Sequence, residues 1–281
     1  DLVDYVVEGN HCRLLFVGDS AQLPPVGTPL SPALDADYLE SLSSLHISQY
    51  ELTEVVRQRD QSGILFNATL LRNQIARLME SEPPELPLFD VQNCSDIVSL
   101  GGADLEETLN EEYGAHSVEE VVFITRSNKR ANLFNQAVRN RVLFHDEEVN
   151  AGDFLMVVKN NYYWGREFDQ LPFIANGDVV TVQRVVSTIN LYGFRFAKVD
   201  IELPDYDIET EVIVLLDTLT VDGPNLPVTK QQELFFSVAQ DYPQCHNQRD
   251  LYKAVKENPY FNALQVKYAY CVTCHKSQGG Q

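Results

Sequence analysis

The segment CVTCH at residues 271–275 sets two thiols and an imidazole within one short run. Its C-x-x-C-H spacing matches covalent haem attachment, and the two thiolates alone would supply half of a zinc site. Haem attachment requires an oxidising compartment and an axial partner, for which the chain offers only Met79 and Met156 as thioethers. Zinc would need two further ligands, and Cys245-His246 is the pair available. Neither metal chemistry is expected, and no metal ligands are assigned. A second candidate is LLFVGDSAQLPPVG at 14–27, where an apolar run stops at Gly18-Asp19, an amide follows at Gln22, and Pro24-Pro25 stiffens the exit. Leu14–Val17 reads as a short strand covered on both faces, and parallel α/β sheets bind ligands beyond the carboxyl ends of such strands. The same letters also describe a plain strand end with an Asp turn and a proline-rich loop. A third candidate is VVFITRSN at 121–128: a strand Val121–Ile124, a turn Thr125–Asn128, and a helix carrying Leu133, Phe134, Ala137, Val138 and Arg141. Ser127 or Thr125 would cap that helix, and its N-terminus beside Arg126 could hold an anion; a surface turn without a ligand reads the same way.

The elements that must position these residues change character along the chain. Residues 1–58 read as helix, strand, loop and a second strand near Leu45–Val56. Residues 61–79 place Ile64, Ala68, Leu71, Ile75 and Leu78 on one helical stripe, expected to face a core. SEPPELP at 81–87 is a connector. After Asn150 come GDFLMVVKN, IANGDVVTVQRVV, RFAKVDIEL and TEVIVLLDTL, β-rich runs broken by Asn-Gly and Pro, with Asn176-Gly177 as the hairpin signal. They predict a small all-β insertion over 152–222, whose acidic stretch DIELPDYDIETE reads as a solvated face. Residues 229–257 read as helical, and Leu264–Val272 as an apolar strand.

Composition bounds the function classes. A chain of 281 residues with 44% apolar content holds one large or two ordinary domains with sizeable cores. A net charge of −20, from 41 acids against 21 bases, argues against a general polyanion binder and leaves room for a local basic groove. No apolar run approaches the roughly 20 residues of a membrane span, and no signal-peptide pattern opens the chain, so no membrane partner is expected. Five scattered cysteines do not make a disulfide framework, and the expected setting is a reducing cytoplasm.

FVGDSAQLPPVG at 16–27 and TCHKSQGG at 273–280 together resemble motifs III and V of superfamily I DNA helicases, in the RecD-like branch of exonuclease V α-subunits. Between them, LTEVVRQRDQSGIL at 52–65 resembles the motif IV arginine segment, and residues 121–139 resemble the strand-turn-helix of the second motor domain. GDFLMVVKNNYY and FIANGDVVTV resemble the start of that family's small β-barrel insertion. The resemblance runs through nearly the whole chain in the family's order. It implies an α/β fold: a RecA-like, P-loop-NTPase-type motor domain with a small all-β, Src-homology-3-like barrel inserted. It divides the chain into a remnant of the first motor domain (1–50), the second motor domain (51–151 and 223–281) and the barrel (152–222). It further implies an ATP-dependent DNA helicase of repair or recombination, moving 5′ to 3′ on single-stranded DNA. ATP and Mg2+ would be cofactors of the intact protein, and other subunits of a nuclease–helicase complex are further partners.

No G-x-x-x-x-G-K-[ST] run occurs, and the family's motif II acids and motif VI arginine would fall before Asp1 and beyond Gln281. The chain therefore reads as the carboxyl-side portion of such a motor, without ATPase activity or bound nucleotide of its own. The alternative is a non-catalytic nucleic-acid-binding or structural module with a decayed helicase fold. By the resemblance, Gln22 senses the γ-phosphate, Asp19 fixes the loop or reaches the metal shell through water, and Arg57 stabilises charge on the γ-phosphate. Thr273 and His275 face DNA, Lys276 neutralises a phosphate, and Gln278-Gly279 turns the chain toward the nucleotide. Many relatives continue Gly-Ser-Glu where this chain has Gly279-Gly280-Gln281, so no acidic contact is assigned there. Arg126 joins the DNA set. Asn160, with Lys159 and Tyr162, is a further DNA candidate that a plain hairpin surface would equally explain.

Overall fold

The computed structural model describes every residue except 1, 10, 21, 26, 29, 43–46, 53–61, 79–85, 87 and 279–281. The chain divides into two compact units, Asp1–Gly102 and Ala103–Gln281.

The first unit carries α1 (Leu2–Val7), a 3-10 turn at Pro32–Leu34, α2 (Ala36–Leu42) and α3 (Gly63–Leu78). Among its described residues there is no strand. Leu14–Val17, expected as a doubly covered strand, has no regular structure, and Leu15 and Val17 are 84% and 86% exposed. A strand persists only where a neighbouring ladder takes up its N–H and C=O groups, and no such ladder is described in this unit. Residues 47–52 of the expected second strand are likewise irregular, and most of its remainder lies outside the described residues. At Gly18 a Cβ would stand 2.8 Å from Leu34 Cδ2, so Leu34 seats directly on the backbone.

The helix α3 forms where its periodicity places it, but the apolar stripe is not the buried one. Ile64, Ala68 and Ile75 are exposed, whereas Gly63 and Asn67 are buried. The reason is polar. Asn67 Nδ2 donates to the carbonyls of Gly63 and Asp90, both at 2.9 Å, and Asn67 Oδ1 accepts from the Asp90 N–H at 2.7 Å. The Asp96 carboxylate accepts from the Gly63 N–H at 2.9 and 3.0 Å. Loop backbone groups laid against a helix need partners, and the Gly63–Asn67 face supplies them.

The second unit runs α4 (Leu105–Ala115), β1 (Phe123–Thr125), α5 (Asn128–Ala137) with one π-helical turn at Val138–Val142, then β2 (Phe154–Val157), β3 (Val179–Leu191), β4 (Phe194–Leu203) and β5 (Ile208–Leu215). It continues with α6 (Val228–Ala239), α7 (Gln248–Lys256), β6 (Leu264–Tyr268), β7 (Cys271–Thr273) and the single turn α8 (Cys274–Ser277). The fold is mixed α/β: β2-β3-β4-β5-β6 close a barrel, and β1 and β7 form a separate parallel pair.

Period-2 alternation builds the barrel from both sides. On β5, Val212 and Val214 join Leu155, Val180, Val199 and Leu264 in one core, while Ile213 and Leu215 join Phe196 and the α6–α7 residues Leu234, Val238 and Val255 in another. The two-residue hairpin turn is Tyr192-Gly193, at φ 56° and 80°, between β3 and β4. Asn176-Gly177, the expected hairpin signal, instead turns a long loop into β3, with Gly177 at φ 114° and its N–H donating to the Val157 carbonyl at 2.9 Å.

Leu264–Val272, expected as one strand, is two. β6 pairs antiparallel with β2 and parallel with β5, while β7 pairs parallel with β1. Strands β2 to β5 alone would leave two open edges, and β6 covers both. Thr218 prolongs the closure, its Oγ1 donating to the Val266 carbonyl at 3.0 Å and accepting from the Val266 N–H at 3.1 Å. The barrel thus takes its fifth strand from outside 152–222. Among the described residues no helix is long and apolar enough to cross a membrane.

Candidate functional site

The strands β1 and β7 run parallel in the register Phe123↔Cys271, Ile124↔Val272 and Thr125↔Thr273, so both end at one level. Beyond that level the chain turns into α5 on one side and α8 on the other, which brings Arg126 and the run Thr273–Lys276 to the same edge. Asn135, buried on α5, holds the arrangement. Its Nδ2 donates to the Cys271 carbonyl at 2.9 Å and its Oδ1 accepts from the Cys271 N–H at 2.7 Å, tying helix to strand. Phe123 and Phe134 pack with ring centroids 4.4 Å apart. Ser127 is the helix cap, its Oγ accepting from the Arg130 N–H at 3.3 Å. On this helical run Ala131, Asn135, Val138 and Arg139 are inside, while Leu133 and Arg141 are exposed.

The expected DNA residues divide by exposure. Arg126 and His275 are exposed, Lys276 is half-buried, and Thr273 is 9% exposed. Lys276 Nζ donates to Asn176 Oδ1, and the Asn176 N–H donates to Asn160 Oδ1 at 2.8 Å. The strand edge and the barrel loop, assigned separately from sequence, are therefore joined through the Asn-Gly turn. Asn161 organises that loop: its Oδ1 accepts from the N–H groups of Tyr163 (3.0 Å) and Trp164 (3.1 Å), and its Nδ2 donates to the Asn262 carbonyl at 2.8 Å. Lys159 Nζ donates to Gln231 Oε1 at 3.2 Å, and Tyr162 stacks obliquely on Phe173 at 5.0 Å.

The expected nucleotide residues fall in both units and outside the described residues. Asp19 and Gln22 lie exposed in the first unit, linked by a turn in which the Gln22 N–H donates to the Asp19 carbonyl at 3.2 Å. Gln278 is half-buried in the second unit, and Arg57 and Gly279 lie outside the described residues. The sequence has no phosphate loop. The CVTCH thiols serve packing. Cys271 Sγ lies 3.8 Å from Thr125 Oγ1, and burial pushes its thiol up to about 11, so it is protonated at neutral pH. Cys274 Sγ sits 3.3 Å from the Thr125 carbonyl. Among the described residues no three His, Cys, Asp or Glu side chains converge as metal ligands would.

Sequence reasoning missed a buried network where α5 meets the barrel. Asp153 is 0% exposed and receives Arg139 Nε at 2.9 Å and Nη2 at 2.8 Å, the Asn150 N–H at 2.7 Å and the Tyr270 hydroxyl at 2.9 Å. His145 Nδ1 lies 2.9 Å from the same carboxylate. Arg139, 2% exposed, also donates to the Glu147 carbonyl (2.7 Å), Asn150 Oδ1 (3.0 Å) and the Tyr268 hydroxyl (3.2 Å), and lies over the Tyr268 ring at 4.3 Å. The spacing Ala131, Asn135, Val138, Arg139 was the available signal, since it puts an arginine on the inward helical stripe.

It also missed Lys267. Burial pushes this ammonium down to about 8; Asp222 pulls the other way, and the charge of Lys276 adds to the depression. Burial lowers Lys276 as well, and lowers Lys159 with a contribution from Lys256. Comparison with known proteins returned no match, either to a protein-family model or to a curated protein.

Proposed function

We propose that this chain is part of an ATP-dependent motor that moves on single-stranded DNA, and that its strand-end edge at Arg126, Thr273, His275 and Lys276 meets the strand. The observation that carries the reading is the register Thr125↔Thr273, which sets two turns bearing cations and an exposed imidazole at the carboxyl ends of parallel strands. In this reading β1, α5 and β7 belong to a RecA-like second motor domain, and the closed barrel is its Src-homology-3-like insertion. Asn160 and Asn176, reached from Lys276, extend the DNA surface onto the barrel loop. Phosphate contacts from Arg126 and Lys276 position the strand without reading sequence, and His275 stacks on a base or donates to a phosphate. ATP and Mg2+ would be held by the intact motor.

The test is single-strand affinity and thermal midpoint measured on one preparation of His275→Ala. The expected result is an affinity loss of roughly tenfold, the scale of one stacked base, with the midpoint unchanged, because the side chain is exposed. An unchanged affinity would refute the DNA role. Wild-type chain that binds no single strand at all would favour a structural module instead.

A further inference from the structure

A cavity of about 490 Å³ opens between α5 and the segment that follows it. One wall is a helical stripe: Lys129, Leu133, Gln136 and Asn140 recur every three or four residues along α5 and its π-helical turn, so they share a face. Asp146, Glu147 and Glu148 line it as well, and Asp222 joins them. Arg139 and Tyr268 form the buried floor, whereas all of these lining residues except Gln136 are exposed, so the cavity is open to solvent.

The floor also holds the walls in place. Arg139 Nη2 donates to the Glu147 carbonyl at 2.7 Å, and the Tyr268 hydroxyl donates to the Glu148 carbonyl at 2.6 Å. Asn132, another lining residue, donates through Nδ2 to the Val221 carbonyl at 3.0 Å and so fixes the chain next to Asp222. Walls set before a ligand arrives cost less entropy to order when it binds.

The charges lining the cavity do not balance. Arg139 is answered by Asp153, and Glu148 by Arg195. Among the described residues Asp146, Glu147 and Asp222 have no ion-pair partner, and neither has Lys129. Three carboxylates therefore face one ammonium, which favours a cation and disfavours a phosphate. Among the described residues no three acidic, His or Cys side chains converge as metal ligands would, so these carboxylates suit an extended cation rather than a point ion. Leu133, 64% exposed, offers apolar surface to the carbon chain of such a cation, and the Gln136 and Asn140 amides offer acceptors to its remaining N–H groups.

We propose that this cavity binds a linear polyamine, a chain of ammonium groups joined by methylene spacers. Its bounded volume lies within the range of small-molecule sites, which favours a free polyamine over lysine side chains of a protein segment. None of Arg126, Thr273, His275 and Lys276 lines it, so the inference stands apart from the strand-end reading.

The test is calorimetric titration of the 281-residue chain with spermidine and, separately, with trilysine, at an ionic strength of about 0.15 M to screen diffuse attraction. Glu147→Gln and Asp222→Asn should each weaken spermidine by roughly tenfold, the scale of one charged hydrogen bond. Lys129→Gln should tighten it by roughly threefold, since it removes a like charge. The control is Glu209→Gln, an exposed acid on β5 that does not line the cavity, and it should leave the affinity unchanged. All four side chains are exposed, so the variants should keep the wild-type thermal midpoint. If Glu209→Gln costs as much as Glu147→Gln, spermidine belongs to the counter-ion cloud of a chain of net charge −20 and the site is refuted. Absence of spermidine binding to wild type refutes it too. Carboxylate-dependent binding of trilysine alone would overturn the polyamine assignment in favour of a protein segment.

Discussion

Arg139 and Lys267 are both cations buried in the second unit, and they are solved in opposite ways. Burial works against the Arg139 charge, but the Asp153 hydrogen bonds and charge, with help from Tyr268, more than offset it and its pKa is raised. Nε and Nη2 meet one carboxylate in a fork, Nη2 also reaches a carbonyl and an amide oxygen, and Nη1 reaches a phenol. Lys267 has one carbonyl, and burial wins. The planar guanidinium suits closed, multi-partner bonding, whereas the ammonium is a point charge whose remaining donors stay available. The first arrangement is a latch: Arg139 lies just beyond α5, Asp153 opens β2, and Tyr268 ends β6, so the network pins the βα unit to the barrel. The second is a charge that burial opposes.

The largest break in this comparison comes from Asp153→Ala. It leaves the Arg139 guanidinium buried without its counter-charge, and the expected destabilisation is about 3–5 kcal/mol in denaturant unfolding. A loss under 1 kcal/mol would mean that the latch is held by the neutral partners alone.

Lys267→Met should act in the other direction. The folded-state pKa lies near 8 against 10.5 for a free lysine, a gap of about 3 kcal/mol in penalty at pH 7. Between those values the unfolded chain holds a proton that the folded chain has released, so stability rises with pH through that window. The penalty is fully present below pH 8 and gone above 10.5. The variant should therefore be more stable than wild type at pH 7, and the two should converge by about pH 10. A wild-type midpoint that shows no such rise relative to Lys267→Met would remove the contrast with Arg139.

The smallest effect sharpens the latch. Tyr270→Phe removes one donor to Asp153 and the acceptor for the Phe154 N–H at 3.2 Å, while the charge pair stays. The expected cost is about 1–2 kcal/mol by the same unfolding measurement. A cost equal to that of Asp153→Ala would mean that the phenol, not the ion pair, holds the junction.

Part of this was legible beforehand. The helix after Asn128, with Ser127 as one of two cap candidates, needed only local rules, because a cap and a helical run are settled by neighbours in sequence; the strand expected at Val121–Ile124 lies at Phe123–Thr125, shifted toward its partner β7. The β-rich character after Asn150 and the helices near 229–257 were readable from alternation and periodicity for the same reason. Three things were not. Leu14–Val17 has strand letters without a strand, since a ladder belongs to two segments. Which face of α3 is inside was decided by the Asp90 backbone and the Asp96 carboxylate, not by its apolar stripe. The split of Leu264–Val272 depended on β2 and β5 claiming one half and β1 the other.

The same division runs through the candidate site. Sequence by itself determined the identities that converge at the strand edge: Arg126 after one apolar run, Thr273, His275 and Lys276 after another, and Asn160 on the barrel loop. It also determined that no phosphate loop is present. Only the tertiary structure decided that the two runs end in register, that Asn176 ties Lys276 to Asn160, and that Thr273 is buried beside an exposed His275. It alone decided that Arg139 would meet a carboxylate and Lys267 would not. The physical reason is that a charge's cost depends on what lies within a few ångströms of it, and for both cations the decisive neighbours are set by folding rather than by adjacency along the chain.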